Sequence, residues 1–228
     1  MIKKVLLFIG LTLALVVAVL AGNLVILNKT SERVTAGAPI PEYGADRSAL
    51  LIIDVQEATT GSVGLNPAYQ EQAGTLIPVL NTLAYRADST GIPVIYVTSV
   101  VTNPLINLLN NSMAKGSRGT EIDQRLIRPS SSLIEKKRGD AFFKTGLDSL
   151  LLELKVNHLY ITGLDAAHCV NCTLRAALNR GYRISVVEDA VISAPVEKKQ
   201  EMMVQFRQLG AAIIPLDPFP DPNASNQK

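Results

Sequence analysis

The chain opens with a long apolar stretch. Residues 5–27 are apolar apart from Thr12, Asn23 and small residues, and they follow a paired Lys3 and Lys4. About 20 consecutive apolar residues cross a bilayer as a helix, so this stretch is long enough to do so. Residues 28–46 are polar and carry Gly37, Pro39, Pro41 and Gly44, the composition of a linker. Beyond it two patterns alternate. ALLIIDV (49–55) is a continuous apolar run, as in a strand buried on both faces. Residues 68–90 place Leu76, Val79, Leu80 and Leu83 at helical spacing and stop at Gly91, with Pro78 predicting a kink inside. A strand follows at PVIYVTSV (93–100), then a short one at SLIEKK (132–137). GLDSLLLELK (146–155) reads as a helix with Thr145 as its cap, and HLYITGL (158–164) as a strand. The helix CTLRAALNRG (172–181), the strand RISVVEDA (183–190), the helix EKKQEMMVQFRQLG (197–210) and the strand AAIIPL (211–216) complete the series. Strands alternating with helices predict an α/β fold, a parallel sheet covered by helices on both faces. From Pro218 the chain is polar and proline-rich, which predicts a flexible tail over 218–228.

Composition narrows the partners. A chain of 228 residues fits one domain plus an N-terminal extension and can bury a core without staples. The net charge is +2, there is no basic block, Trp is absent and aromatics make up 5%. Nucleic acid is therefore not an expected partner. Two cysteines cannot build a disulfide framework, and His158 and His168 are too few for a zinc site, so neither metal nor cofactor is expected. Residues 1–28 have two readings. Val19-Leu20-Ala21 offers a small-residue exit for a cleaved signal peptide, and a secreted domain. Apolar sequence resumes at 24–27, which favours an uncleaved anchor. Lys3 and Lys4 orient that anchor with its N-terminus in the cytoplasm and the domain outside, although Lys29 and Arg33 flank the other end.

In parallel α/β sheets, sites form beyond the carboxyl ends of strands. Asp54, the pair Lys136 and Lys137, and Cys169 all fall at such ends. A thiol at a helix N-terminus is expected to have a lowered pKa, and the same unpaired N–H groups can hold an oxyanion. A carboxylate ending an apolar strand is either solvated or a base tuned by a neighbouring cation. Cys172, one turn deeper, reads as a small packed residue.

At four separated places the residues resemble the isochorismatase-like cysteine hydrolases: ALLIIDVQ, KGSRGTEID (115–123), KKRGDAFFKTGLDSLLLEL (136–154) and LYITGLDAAHCVNCTLRAALNRGYRISVVEDA (159–190). The resemblance runs over about 47–216, placing a hydrolase domain at 47–217 after a linker at 29–46. It implies a Rossmann-like three-layer fold with a six-stranded parallel sheet. It also implies a catalytic triad of Asp54, Lys136 and Cys169, with Lys137 a rival one residue out of register. A cis peptide between Leu164 and Asp165 is implied too, with the Asp165 and Cys169 N–H groups as oxyanion hole. Gln56, Phe142 and His168 become candidate substrate contacts; Phe142 and Phe143 either wall the pocket or fill core, and His168 serves as a contact or a cap. The family's usual Ser before Ala-Phe is Asp140 here, and its usual Thr three residues before the nucleophile is Ala166. No His lies within 55–90, which speaks against a nicotinamidase-type metal.

Keeping a cysteine at the nucleophile position implies hydrolysis of a C–N bond in a small amide or ureido compound through a thioester. Oligomers are common in the family, and a dimer or tetramer is one way to complete the pocket. Two alternatives stand beside this. Cys169-x-x-Cys172 has the spacing of a thiol–disulfide oxidoreductase, or of a regulatory disulfide that silences the nucleophile. The departures at 140 and 166 fit a non-catalytic, anchored relative.

Overall fold

The computed structural model describes residues 2–129, 132–217 and 219–220. The chain forms α1 (Ile2–Ser31), β1 (Ser48–Ile53), α2 (Pro67–Ser89), β2 (Val94–Ser99), α3 (Pro104–Leu109), β3 (Leu133–Lys136), α4 (Leu147–Glu153), β4 (His158–Gly163), α5 (Asn171–Asn179), β5 (Arg183–Val191), α6 (Lys198–Gln208) and β6 (Ala212–Ile214). The strands make one six-stranded sheet in the order β3-β2-β1-β4-β5-β6, and every neighbouring pair is parallel. The chain winds outward from β1 to β3, then returns to place β4 on the other side of β1. The β1–β4 seam is thus the topological switch point, the place where such sheets open a crevice.

The continuous apolar runs are explained by two cores. Ala49, Leu51 and Ile53 of β1 face one cluster, with Leu159, Ile161, Leu174 and Phe206. Leu50 and Ile52 face the other, against Leu76, Leu80 and Leu83 of α2. Each fully buried Leu or Ile contributes roughly 1.5–3 kcal/mol, and only a strand covered on both sides gains it at every position. Helix α2 starts where Asn66 accepts from the Ala68 N–H, with Pro67 at its first position. It continues through Pro78, which lies exposed, as one helix to Ser89.

One glycine is required by close approach. Gly163 has φ +102°, and a Cβ there would sit 2.1 Å from the Ile53 carbonyl oxygen. Any side chain would push β4 away from β1 at the seam.

The structure departs from the sequence reading at several points. α3 and a single 3-10 turn at Arg118–Thr120 fall in a stretch with no readable period. α1 runs on to Ser31, into the expected linker. The rest of that linker is packed against the domain: Val34 and Ile40 lie on its core, and the Ile40 N–H donates to the Arg180 carbonyl at 2.8 Å. The expected flexible tail mostly lies outside the described residues, but Phe219 is buried and meets Tyr160 edge-on at 4.7 Å. The apolar stretch Ile2–Asn23 is a continuous helix of 22 residues, none of it buried in the protein.

Candidate active site

Four polar side chains meet at the switch-point crevice. Asp54 follows β1 directly. Its backbone sits in the left-handed region at φ +56°, unusual for a residue with a Cβ. The turn is held by its own N–H donating to the Val97 carbonyl at 2.7 Å and by the Thr59 hydroxyl donating to its carbonyl at 2.6 Å. Lys136 ends β3, where Ile134 and Lys136 face inward while Leu133, Glu135 and Lys137 face out. That alternation excludes Lys137. Cys169 follows β4, in a π-helical turn at Ala166–Val170 that runs straight into α5.

The Lys136 ammonium is fully buried and uses all three of its protons. Nζ donates to Asp54 Oδ2 at 2.8 Å, to Ser99 Oγ at 2.5 Å and to Cys169 Sγ at 3.0 Å. Ser99 Oγ in turn donates to Asp54 Oδ1 at 2.9 Å. Ser99 is opposite Lys136 in the β2–β3 register. The sequence reading passed over it; its only signal was a polar residue closing an apolar strand on the edge next to Lys136.

The electrostatics correct one expectation. The helix N-terminus was expected to favour a thiolate. Burial instead pushes the Cys169 thiol up to about 12, and the facing Asp54 carboxylate adds to the rise, against the opposing pull of Lys136. For Lys136, burial favours the neutral amine, but Asp54 and Cys169 outweigh it and raise its pKa, so it stays charged. Both directions agree: the surroundings hold the proton on the Cys169 sulfur and the charge on Lys136.

Asp165 organises the wall behind the thiol. It caps the helical turn by accepting from the Ala167 N–H at 2.7 Å, and it also accepts from Ser193 Oγ, the Ala194 N–H and Tyr69 OH. The Leu164–Asp165 peptide is cis. Tyr69, from α2, had no signal in the sequence. Its hydroxyl pKa is raised first by burial and then by Asp165.

Other candidates lie elsewhere. Gln56 is fully buried, and its amide is consumed by backbone: it donates to the Ser99 and Thr120 carbonyls and accepts from the Ser99 N–H. It braces the loop and has no free atom for substrate. Phe142 is 3% exposed and belongs to the core, with the Arg180 guanidinium 4.3 Å over its ring. Phe143 lines a cavity instead. His168 is exposed, with Nδ1 3.9 Å from the Glu32 carboxylate. His158 bridges Ser48 and Ser185 by its two ring nitrogens. Asp140 does not enter the crevice: Oδ2 accepts from the Thr35 N–H at 2.8 Å and the Thr35 hydroxyl at 2.7 Å, and Oδ1 from the Phe142 N–H at 2.8 Å. The family-departing aspartate is thus a latch for the segment after α1.

Cys172 is 4% exposed, its thiol directed at the Glu32 carbonyl at 3.8 Å, and burial pushes its pKa up to about 11. Both cysteines are free thiols. Among the described residues no group of three His, Cys, Asp or Glu side chains is placed to hold a metal ion. A cavity of about 480 Å³ beyond the ends of β2 and β3 is lined by Val100, Val101, Lys137, Arg138 and Phe143. A larger cleft of about 700 Å³ lies at the amino ends of β1 and β2, around Ser48 and Val94, away from this chemistry.

Comparison with known proteins gives the family and the fold. A family model described as Isochorismatase domain matches residues 48–217. N-carbamoylsarcosine amidase of Arthrobacter sp is 28% identical over 162 residues, 65% of this chain and 60% of that protein. Ureidoacrylate amidohydrolase RutB of Pantoea ananatis is 26% identical over 205 residues, covering 78% of this chain and 82% of that one. The crystal structure of N-carbamoylsarcosine amidase from Thermoplasma acidophilum superposes with a TM-score of 0.63 at 29% identity, over 75% of this chain and 97% of the other.

Proposed function

This chain belongs to the isochorismatase family, and from that premise we propose that it is a cysteine amidohydrolase, cleaving a C–N bond in a small amide or ureido compound with Cys169 as nucleophile. The observation that carries the reading is one ammonium, Lys136 Nζ, within 2.8 Å of the Asp54 carboxylate and 3.0 Å of the Cys169 sulfur. The names of the relatives above describe ureido and amide substrates, and they support the same class here.

The chemistry follows from the resting charges. Because the thiol is neutral at rest, its proton has to leave as the sulfur attacks. Asp54 is the base in reach. Lys136 stays charged and stabilises the forming thiolate, while Ser99 keeps the carboxylate in place. The sulfur adds to the carbonyl carbon, and the oxyanion is taken by the backbone N–H groups of Asp165 and Cys169. Asp54 then gives its proton to the departing ammonia or amine. It finally activates water to cleave the thioester, restoring the thiol. No external cofactor enters this cycle. In this reading α1 anchors the protein in a membrane with the domain outside the cytoplasm.

The oxidoreductase alternative needs two thiols that a partner disulfide can reach in turn. Cys172 is buried under the Glu32 carbonyl, which leaves that role without support. The test is ammonia release from a panel of primary amides and ureido compounds by the full chain in detergent. Cys169→Ala is expected to abolish release, and Cys172→Ser to keep most of it. Equal loss from both would defeat the assignment.

A further inference from the structure

α3 has no buried residue, and its Leu108 and Leu109 are 80% and 71% exposed. Two neighbouring exposed leucines on a short, uncharged helix have no reason to face water. Their surroundings supply one. Val17, Leu20 and Ala21 of α1 wall an apolar groove of about 260 Å³ together with Leu105, Ile106 and Leu109. Just before α3, Asn103 Nδ2 donates to Asn23 Oδ1 at 2.8 Å. These contacts fix the height of α3 along α1. A helix rises about 1.5 Å per residue, so positions 17 to 23 cover only ~9 Å, at the end of the apolar stretch Ile2–Asn23. A helix lying against that stretch shares its depth.

The next layer has the matching chemistry. From Asn23 to Ser31, α1 climbs a further ~12 Å, through the zone where headgroups begin. There Thr30 and Ser31 border the cavity lined by Arg138 and Phe143. The Arg138 guanidinium lies 3.9 Å over the Phe143 ring, the Lys144 ammonium lies 5.5 Å from it, and Lys137 borders the same cavity. Two cations at an aromatic ring and a third on the cavity it lines, one step above exposed leucines, match the order of an anionic lipid surface: phosphate outside, acyl chains inside.

We propose that α3 and this basic cluster are a second membrane contact, seated on the surface of an anionic bilayer beside α1. Leu108 and Leu109 enter the acyl boundary, and Lys137, Arg138 and Lys144 meet the phosphates. The carboxyl edge of the sheet, which carries Ser99 and Lys136, then faces the membrane, and the cavity beside it opens at headgroup height. The proposal rests on reading α1 as membrane-inserted.

The chain contains no Trp, so a single introduced Trp reports its own depth. Leu108→Trp is compared with Tyr85→Trp, an exposed position near the C-terminal end of α2, which returns the chain to the amino edge of the sheet. Both full-length variants are reconstituted in phosphatidylcholine–phosphatidylglycerol vesicles with brominated acyl chains. The expected result is co-flotation of both, with Trp fluorescence of Leu108→Trp quenched at least twofold more than that of Tyr85→Trp. Co-flotation with equal quenching at the two positions overturns the second contact and leaves the anchor intact. A blue-shifted but unquenched Leu108→Trp also overturns it, because protein, such as a second copy, then covers the leucines. Failure to float removes the anchor and this proposal together, while the ammonia-release assay still judges the hydrolase reading alone.

Discussion

Replacing Lys136 with methionine removes a charge and little volume. The lysine is fully buried and donates to Asp54, Ser99 and Cys169. Met fills a similar tube of space, so the packing change is small, under ~1.5 kcal/mol for a volume-conserving swap. What remains is a carboxylate without its cation, held by Ser99 Oγ at 2.9 Å. Removing one partner of a buried ion pair costs about 3–5 kcal/mol, and we expect Lys136→Met to lose stability in that range at neutral pH. Lys136→Met combined with Asp54→Asn removes both charges and is expected to be less destabilised than the sum of the two single changes. The coupling between contacting partners is expected at roughly 1–3 kcal/mol. The assay is urea unfolding of the part beginning at Glu32, so that the Thr35 latch is retained, with turnover measured in parallel. A loss below ~1 kcal/mol with strict additivity would refute the reasoning, because the ammonium would then not be the counter-ion of Asp54. All three variants are expected to lack turnover.

Further outcomes follow from the raised thiols and from the latch. With Cys169 pushed up to about 12 and Cys172 to about 11, alkylation of Cys169 by iodoacetamide should keep rising through pH 10. A plateau below pH 8 would mean a thiolate at rest. The same shifts carry a sign for stability. Both folded pKa values lie above the unfolded thiol value of about 8.5, so the native state holds more protons between them, and stability is full below about pH 8.5 and falls as pH rises toward 11–12. Thermal melts from pH 8 to 10.5 check it, with Cys169→Ser/Cys172→Ser expected to flatten the decline. Thr35→Val deletes the 2.7 Å hydroxyl bond to the buried Asp140 side chain; a bond to a charged group is worth about 1.5–3 kcal/mol, and an unfolding free energy from urea titration lowered by less than ~0.5 kcal/mol would show the latch to be incidental.

Much of the fold was legible because its signal is local. A strand covered on both faces reads as a continuous apolar run, and β1, β2 and β4 show it as ALLII, VIYV and LYI. Helices α2, α5 and α6 carry period and stop signals in their own residues. The missed elements lack such signals. α3 is a helix of six residues whose leucines have no core to face, so periodicity had nothing to register. The linker read as polar and irregular, and it is; what ties it down is Asp140, a residue 105 positions later. No local pattern encodes a contact of that separation. The turn at Ala166–Val170 begins the helix earlier than its apolar spacing implies, because the start is set by Asp165 as cap.

The site divides along the same line. Asp54, Lys136 and Cys169 each close or follow a strand, so chain position permitted them to meet at one edge of a parallel sheet, and the family resemblance singled them out as a triad. Their mutual charge state was not readable. A helix start argues for a thiolate only when the thiol is wet enough for the dipole to outweigh desolvation. Here burial comes first and the facing carboxylate adds to it, so the proton stays on sulfur. In the proposed mechanism that neutral thiol delivers its proton to Asp54 in the act of attack, and the same proton is then available for the leaving amine. Cys172 takes no part in that transfer. It packs where a Cβ on Gly139 would come within 3.0 Å of its sulfur, which is the position of a small residue filling space beneath the latch.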